Sequence, residues 1–278
     1  MPLARTADLV TAAYREGSGV LACNVITLEH AEGIVAGAEH VGRPVILQVS
    51  ENAVKFHHGN LAPIVAAASA VATAAAVDVA VHLDHVEDEL LLRACAGTGA
   101  SSVMFDASTL EYAANVAATK AAAQWAHREG LYLEAELGEV GGKDGAHAPG
   151  VRTDPGEAAE FVAATGVDAL AVAVGSSHAM SERSASLDFE LIKRLRAAVP
   201  VPLVLHGSSG VDDSALRKAV EAGITKINVG TLLNVRFTAT VRAYLEADPN
   251  VNDPRRYLSP ARDAIADTVA TLITAITG

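Results

Sequence analysis

The order of short β-branched runs and longer helical stretches predicts an α/β chain folded as a (β/α)8 TIM barrel. Eight runs suited to strands recur: Val20–Val25, Pro44–Val49, Val79–Leu83, Ser102–Phe105, Leu131–Leu137, Ala169–Val174, Pro202–Leu205 and Thr225–Val229. Helical stretches separate them, including Leu28–Val41, Pro63–Ala76, Leu110–Arg128, Glu157–Ala164, Phe189–Ala198 and Asp213–Glu221. Strand and helix in alternation imply a parallel sheet, and eight units imply closure. The 278 residues, 50% of them apolar, suit one barrel, which typically takes roughly 250 residues. Length alone would also admit two ordinary domains, and a doubly wound open sheet is the alternative for the same alternation.

The elements have local signatures in order. Leu3 to Arg15 is expected to form a helix closing the bottom of the barrel. Gly42 and Gly223 stand where helices should stop before the second and eighth strands. Asp154-Pro155-Gly156-Glu157 supplies an N-cap acid, a first-turn proline and an acid at the third position. Beyond Arg242, the breaks Asp248-Pro249 and Asp253-Pro254 lead to a last helix expected from Pro260 onwards. The expected organisation is one barrel domain over residues 1–278 with a C-terminal helical extension.

Composition narrows the function. Lys and Arg total 21 against 33 Asp and Glu, a formal charge of −12, which disfavours general nucleic-acid binding. A local pocket can still attract a small anion. Cys23 and Cys95, the only cysteines, have no partner motif, so no disulfide framework is expected. Leu61 to Val77 is the longest mildly apolar stretch, and its alanines, Pro63, Ser69 and Thr73 suit a barrel helix better than a membrane span. No signal-peptide pattern opens the chain, and a cytoplasmic location is expected.

The polar residues are the decisive feature. Asn24, Ser50, Asp84-His85, Asp106, Glu134 and Glu136, His178, His206 and Asn228 fall at or just past the ends of the eight strands in turn. Barrel active sites lie on that face. His85, His178 and His206 come from separate strands, and three imidazoles would suit zinc with a fourth position left for substrate. Any one of them could equally be a hydrogen-bonded rim residue. His82 is expected to be structural, as are His30, His40 and His127, with His57 and His58 at the surface.

Two loops rich in small residues follow the last strands: His206-Gly207-Ser208-Ser209-Gly210 and Asn228-Val229-Gly230-Thr231. Free backbone N–H groups and short hydroxyls at this corner commonly hold phosphate. Gly138-Glu139-Val140-Gly141-Gly142-Lys143-Asp144-Gly145 reads as a loop able to close over substrate and bring in an acid or base.

Taken together, Leu83-Asp84-His85, Val103-Met104-Phe105-Asp106-Ala107-Ser108, Glu134-Ala135-Glu136-Leu137-Gly138, Gly141-Gly142, Gly175-Ser176-Ser177-His178, Leu205-His206-Gly207-Ser208-Ser209-Gly210 and Lys226-Ile227-Asn228-Val229-Gly230-Thr231 resemble the class II aldolases of ketose bisphosphates. The resemblance runs from Asn24 to Arg262 with the motifs in order. It implies reversible cleavage of a phosphorylated ketose, such as fructose 1,6-bisphosphate, to dihydroxyacetone phosphate and an aldehyde such as glyceraldehyde 3-phosphate. It implies Zn2+ on His85, His178 and His206, with Asp106 and Glu136 at an alternative metal position. Asp84 would be the acid/base, Asn228 would stabilise the enediolate and also contact substrate, and a loop acid would move a proton at C3. Asn24, Ser50, Ala179, Gly207, Ser208, Ser209, Val229, Gly230 and Thr231 complete the implied substrate contacts.

The chain departs from the family pattern at three points, one being a segment from Gly145 to Arg152 shorter than the usual one. Lys143 and then Asp144 stand where a glutamate usually follows the Gly-Gly pair, and Ala179 replaces a glycine of a monovalent-cation (Na+ or K+) and phosphate site. Family habit implies a homodimer or homotetramer, with Arg255, Arg256 or Arg262 as candidate distal-phosphate ligands. The competing functions are a metal-dependent sugar-phosphate isomerase or epimerase and a non-catalytic sugar-phosphate-binding barrel.

Overall fold

The structure is a computed structural model that describes residues 3–137, 152–176 and 183–277. Helix α1 (Thr6–Glu16) precedes β1 (Val20–Asn24), α2 (Leu28–Val41), β2 (Val45–Ser50), α3 (Glu51–Phe56), α4 (Leu61–Ala74), β3 (Val79–Val86) and α5 (Glu89–Ala94). There follow β4 (Ser102–Phe105), α6 (Tyr112–Arg128), β5 (Tyr132–Glu136), α7 (Pro155–Thr165), β6 (Ala169–Ala171) and α8 (Phe189–Ala198). The chain ends with β7 (Leu203–Leu205), α9 (Asp213–Ala222), β8 (Ile224–Val229), α10 (Thr231–Ala247) and α11 (Pro254–Thr277). Each strand pairs in parallel with the next, and β8 returns to β1, so the sheet closes as an eight-stranded barrel. The predicted fold class is the observed one.

Side chains alternate across each strand, so the barrel wall separates two sets of residues. Leu21, Cys23, Leu47, Val81, Leu83, Val103, Leu133, Leu170 and Ile227 point outward into the apolar layer shared with the helices. Val20, Ala22, Ile46, Ala80, Met104, Tyr132, Ala171 and Val204 form an inner cluster with Leu9, Val10 and Ala13 of α1. The N-terminal helix therefore closes the barrel bottom, as its position in the sequence suggested. Above this apolar layer the interior turns polar, with Gln48, His82, Glu134 and Lys226 all fully buried.

Helix boundaries follow their caps. Asp154 Oδ1 accepts hydrogen bonds from the N–H groups of Gly156 and Glu157, at 2.8 and 3.0 Å, and Pro155 occupies the first turn. Gly42 closes α2 in the left-handed conformation. The expected β6 is shortened at Ala171, because Ala173 N–H donates to the Thr153 hydroxyl instead of a neighbouring strand. The last helix begins at Pro254, not Pro260, and Pro260 lies inside it. A proline removes one backbone donor, but Ala261, Ile265, Val269, Leu272 and Ile273 bury one face of α11 and carry the helix through. Helices α3, α5 and α10 are additional to the expected elements.

Packing of α11 on α2 depends on close approach at Gly33 and Gly37. A methyl group at Gly37 would collide with the Ala266 carbonyl oxygen and lie 2.9 Å from Val269 Cβ. Gly37→Ala should therefore destabilise the fold by about 1–3 kcal/mol, despite alanine's better helix propensity. Thermal unfolding of the variant checks this, and an unchanged or raised midpoint would contradict it.

Candidate active site

The barrel's inward positions deliver Asn24, Gln48, Ser50, Asp84, Glu136 and Asn228 to a cavity of about 720 Å³ at the C-terminal mouth. Asp106, Gly207, Ser209 and Gly230 reach it from the segments that follow β4, β7 and β8, and Thr231 from the start of α10. His85 breaks the alternation. As the neighbour of inward-facing Asp84 it should point outward, yet its φ of 48° is left-handed and the β3–β4 register shifts between Leu83 and Val86. An irregularity of this kind re-aims a side chain, and such backbone is rarely adopted without support from its surroundings. Consecutive residues Asp84 and His85 thus both line the cavity.

The imidazoles of His85 and His206 meet edge to face, with His85 Nε2 3.0 Å from His206 Nδ1. Each ring has a carboxylate at its other nitrogen. His85 Nδ1 lies 2.8 Å from Asp106 Oδ2, and His206 Nε2 lies 3.0 Å from Glu134 Oε1. Carboxylates accept, so both far nitrogens act as donors, and a neutral pair of rings would present two lone pairs to each other. That arrangement repels unless a cation, either a proton or a metal ion, lies between them. Asp84, His85 and His206 place one ligand atom each within 4.8 Å of one another, as do His85, Asp106 and Glu136. Imidazole nitrogens with carboxylate oxygens form a donor set suited to a divalent transition-metal ion, so the residues present fit such an ion.

Electrostatics agree with this geometry. Burial would lower the His85 pKa, but the charge of Asp84, the hydrogen bond to Asp106 and the charge of Glu136 together raise it to about 10. Burial would raise the Asp106 carboxyl, yet His85 and the Ser108 hydrogen bonds hold it well below the usual carboxylate range. For Asp84 burial prevails over the charges of His85 and Lys226, and its pKa is raised. Gln48 Nε2 donates to Asp84 Oδ2 at 3.3 Å and to Asn24 Oδ1 at 2.6 Å, and Asn228 Nδ2 lies 3.4 Å from Asp84 Oδ1. The buried amide oxygens of Gln48 and Asn228 have no hydrogen-bond partner among the described residues, leaving two acceptors for a ligand beside the cavity.

Most of the expected site residues converge here, but two side chains do not. Ser208 is buried with its hydroxyl 3.2 Å from the Leu205 carbonyl, and Val229 packs in the outer apolar layer, because its parity is opposite to that of Asn228. Only their backbone remains for a ligand. Ser50 and Ser209 accept from the N–H groups of Ala53 and Leu232, at 3.2 and 3.0 Å, and keep their hydroxyl protons to donate. Gly207 is left-handed at φ 67°, and α10 starts at the cavity wall with Thr231. Asp144, His178 and Ala179 lie outside the described residues. Of the candidate arginines, Arg255 pairs with Asp253 and Arg262 with Glu32.

His82, expected to be structural, is fully buried with Nδ1 2.7 Å from Ser102 Oγ. His57 is not a plain surface residue, since its Nε2 lies 2.7 Å from the Ile26 carbonyl. Gln48, Lys226 and Glu51 were not singled out from sequence. The signal for the first two was available, because each lies two residues before a predicted site residue and so shares its face. Glu51 lines the cavity and accepts from the N–H groups of Glu87 and Asp88 at 2.7 and 3.1 Å, which ties α3 to the segment after His85.

The family model for class II fructose-bisphosphate aldolase matches residues 4–277. The YdjI aldolase from Escherichia coli K12 is 30% identical and superposes with a TM-score of 0.85, covering 99% of this chain and 97% of its own. The fructose-bisphosphate aldolase from Campylobacter jejuni has the same fold at 24% identity and a TM-score of 0.80, covering 97% of this chain and 93% of its own.

The raised pKa of His85 has a consequence for the metal-free protein. Protonation of His85 contributes stability that is fully present below the unfolded-state value of about 6.5 and is lost as pH rises through about 10. Thermal midpoints of chelator-treated protein should fall between pH 7 and pH 10, and Asp106→Asn should flatten that slope. An identical slope in the variant would contradict the assignment.

Proposed function

Because this chain belongs to the class II fructose-bisphosphate aldolase family, we propose that it cleaves a phosphorylated ketose between C3 and C4. The products would be dihydroxyacetone phosphate and an aldehyde, with fructose 1,6-bisphosphate as the reference substrate. The observation that carries the reading is the facing pair His85 and His206 beside buried Asp84. His85, His206 and, from outside the described residues, His178 would hold the metal ion, which we take to be Zn2+. Bound there, the ion supplies Lewis-acid stabilisation of the negative charge left on the triose when the carbon–carbon bond breaks.

The protein's own groups account for the remaining steps. Asp84 accepts the C4 hydroxyl proton, and burial favours the protonated form it then adopts. The amide groups of Gln48 and Asn228 flank its two oxygens and hold it in place. Asn228, released from that contact, donates to the enediolate oxygen. Gly207 backbone, the Ser209 hydroxyl, Gly230 and Thr231 receive the phosphate, helped by the positive end of α10. Asn24 and Ser50, on the first two strands, contact substrate hydroxyls. Asp106 orients His85, and with Glu136 offers the alternative metal position. Asp144 exchanges the C3 proton. A monovalent cation near Ala179 would assist phosphate binding through backbone carbonyls.

Release of triose phosphate in a coupled assay, abolished by chelation and restored by zinc, is the expected result. Irreversible inactivation by borohydride with substrate would instead reveal a lysine Schiff base and overturn the reading. Turnover without triose phosphate release would favour an isomerase or epimerase, and binding without turnover a non-catalytic barrel.

Two variants separate the metal from proton transfer. His206→Ala should lose bound zinc. Asp84→Ala should keep zinc and slow cleavage by roughly 10²–10⁴-fold, the usual contribution of a general acid or base. Metal analysis of both purified proteins decides the assignment, and retention of zinc in the histidine variant would refute it. Asp144→Ala should keep zinc and slow deuterium exchange into dihydroxyacetone phosphate more than bond cleavage. Unchanged exchange would move that role to another group, with Glu139 the next candidate.

A further inference from the structure

Beneath the cavity lies an ion pair that the proposed reaction does not use. Lys226 on β8 and Glu134 on β5 are both fully buried, and Lys226 Nζ donates to Glu134 Oε2 at 2.8 Å. The other oxygen, Oε1, lies 3.0 Å from His206 Nε2. The carboxylate is thus held by one oxygen and aimed by the other. We propose that Lys226 and Glu134 are positioning residues that place the proton of His206 on Nε2 and leave the Nδ1 lone pair for the position shared with His85. This inference rests on the reading of that position as a divalent-metal site.

Asn228 shows why such a device is needed. Its Nδ2 lies 3.1 Å from the same His206 Nε2, which would be an acceptor if Asn228 donated to it. One imidazole nitrogen cannot both donate to Glu134 and accept from Asn228, so the two neighbours favour opposite tautomers. With Nε2 as acceptor, the proton would sit on Nδ1 and occupy the place that faces His85. A buried carboxylate held by a lysine is the stronger partner, because a charge-assisted hydrogen bond outweighs a neutral one. Lys226 also supplies the counter-charge that a carboxylate without solvent contact requires. The Asn228 amide is then left to Asp84 and to substrate.

The test uses the full-length protein with Zn2+ as probe, competed against a chromophoric chelator, and reads the His206 tautomer by 15N NMR in the metal-free form. Glu134→Gln offers an amide that can either accept or donate, and should lower zinc affinity by about 10–100-fold, as loss of an outer partner of a metal-bound histidine does. The NMR spectrum should show Nδ1–H appearing in that variant. A lone buried charge can prevent folding, so the double variant Lys226→Met/Glu134→Gln removes both charges together. It should recover thermal stability relative to Lys226→Met, yet keep the weakened zinc binding and the altered tautomer. Wild-type zinc affinity with an Nε2–H tautomer in the stable double variant would overturn the proposal and leave the pair a structural one. If wild-type protein binds no zinc, the metal reading fails by itself, and the tautomer measurement still decides whether Lys226 and Glu134 set the proton on His206.

Discussion

In a closed parallel barrel, every second side chain of every strand is committed to the interior, and nearly all features of this molecule follow from that alternation. The lower half of the interior is filled by apolar side chains and sealed by α1. The upper half is polar, and a buried polar group is tolerable only when partnered. The partners form two short chains. One runs from Asn24 through Gln48 to Asp84 and Asn228. The other runs from Lys226 through Glu134, His206 and His85 to Asp106 and Ser108. They meet where Asn228 Nδ2 lies 3.1 Å from His206 Nε2, and the second holds two conflicts: that nitrogen between Glu134 and Asn228, and the two ring nitrogens that face each other at 3.0 Å. Such conflicts, together with the unpartnered amide oxygens of Gln48 and Asn228 among the described residues, mark a place where something else binds.

The fold was largely legible in the sequence because its eight strands read as short apolar runs ending in polar residues. Outward residues face helices and inward residues near the mouth face the cavity, so the run and its polar end encode layer and depth together. Short elements escaped. Helices α3 and α5 span six residues each, less than two turns, too few for a helical period to emerge. Pro260 misled for a different reason, since local backbone chemistry predicted a boundary that packing of α11 on α2 and α10 overrides.

Site residues were legible where their parity was regular. Asp84, Glu136 and Asn228 follow the alternation, and Gln48 and Lys226 could have been found by stepping back two residues along the same face. Val229 was drawn in only by its neighbours in a small-residue loop, and parity places it outside the barrel. His85 was legible from its place at a strand end, but its inward turn was not. Its position requires a left-handed residue and a register shift within β3, and neither leaves a mark on hydrophobic periodicity.

That irregularity gives the site its economy of geometry. Regular alternation would put Asp84 and His85 on opposite sides of the wall, and groups from different strands could be aligned only through packing. With the chain turned at His85, a buried carboxylate and an imidazole that faces the proposed metal position share one stretch of backbone. Their separation is then set largely by covalent geometry, which deforms far less than a packed contact. In the proposed reaction, proton removal at one carbon and charge stabilisation toward its neighbours must occur together, so two adjacent residues are the natural source of both groups. Glu51 supports the arrangement from α3 by accepting from the N–H groups of Glu87 and Asp88, immediately after the strained segment. Strain held in this way can persist because the surrounding structure over-determines the backbone. A carboxylate used as a backbone clamp at the cavity wall is therefore part of what keeps Asp84 and His85 side by side.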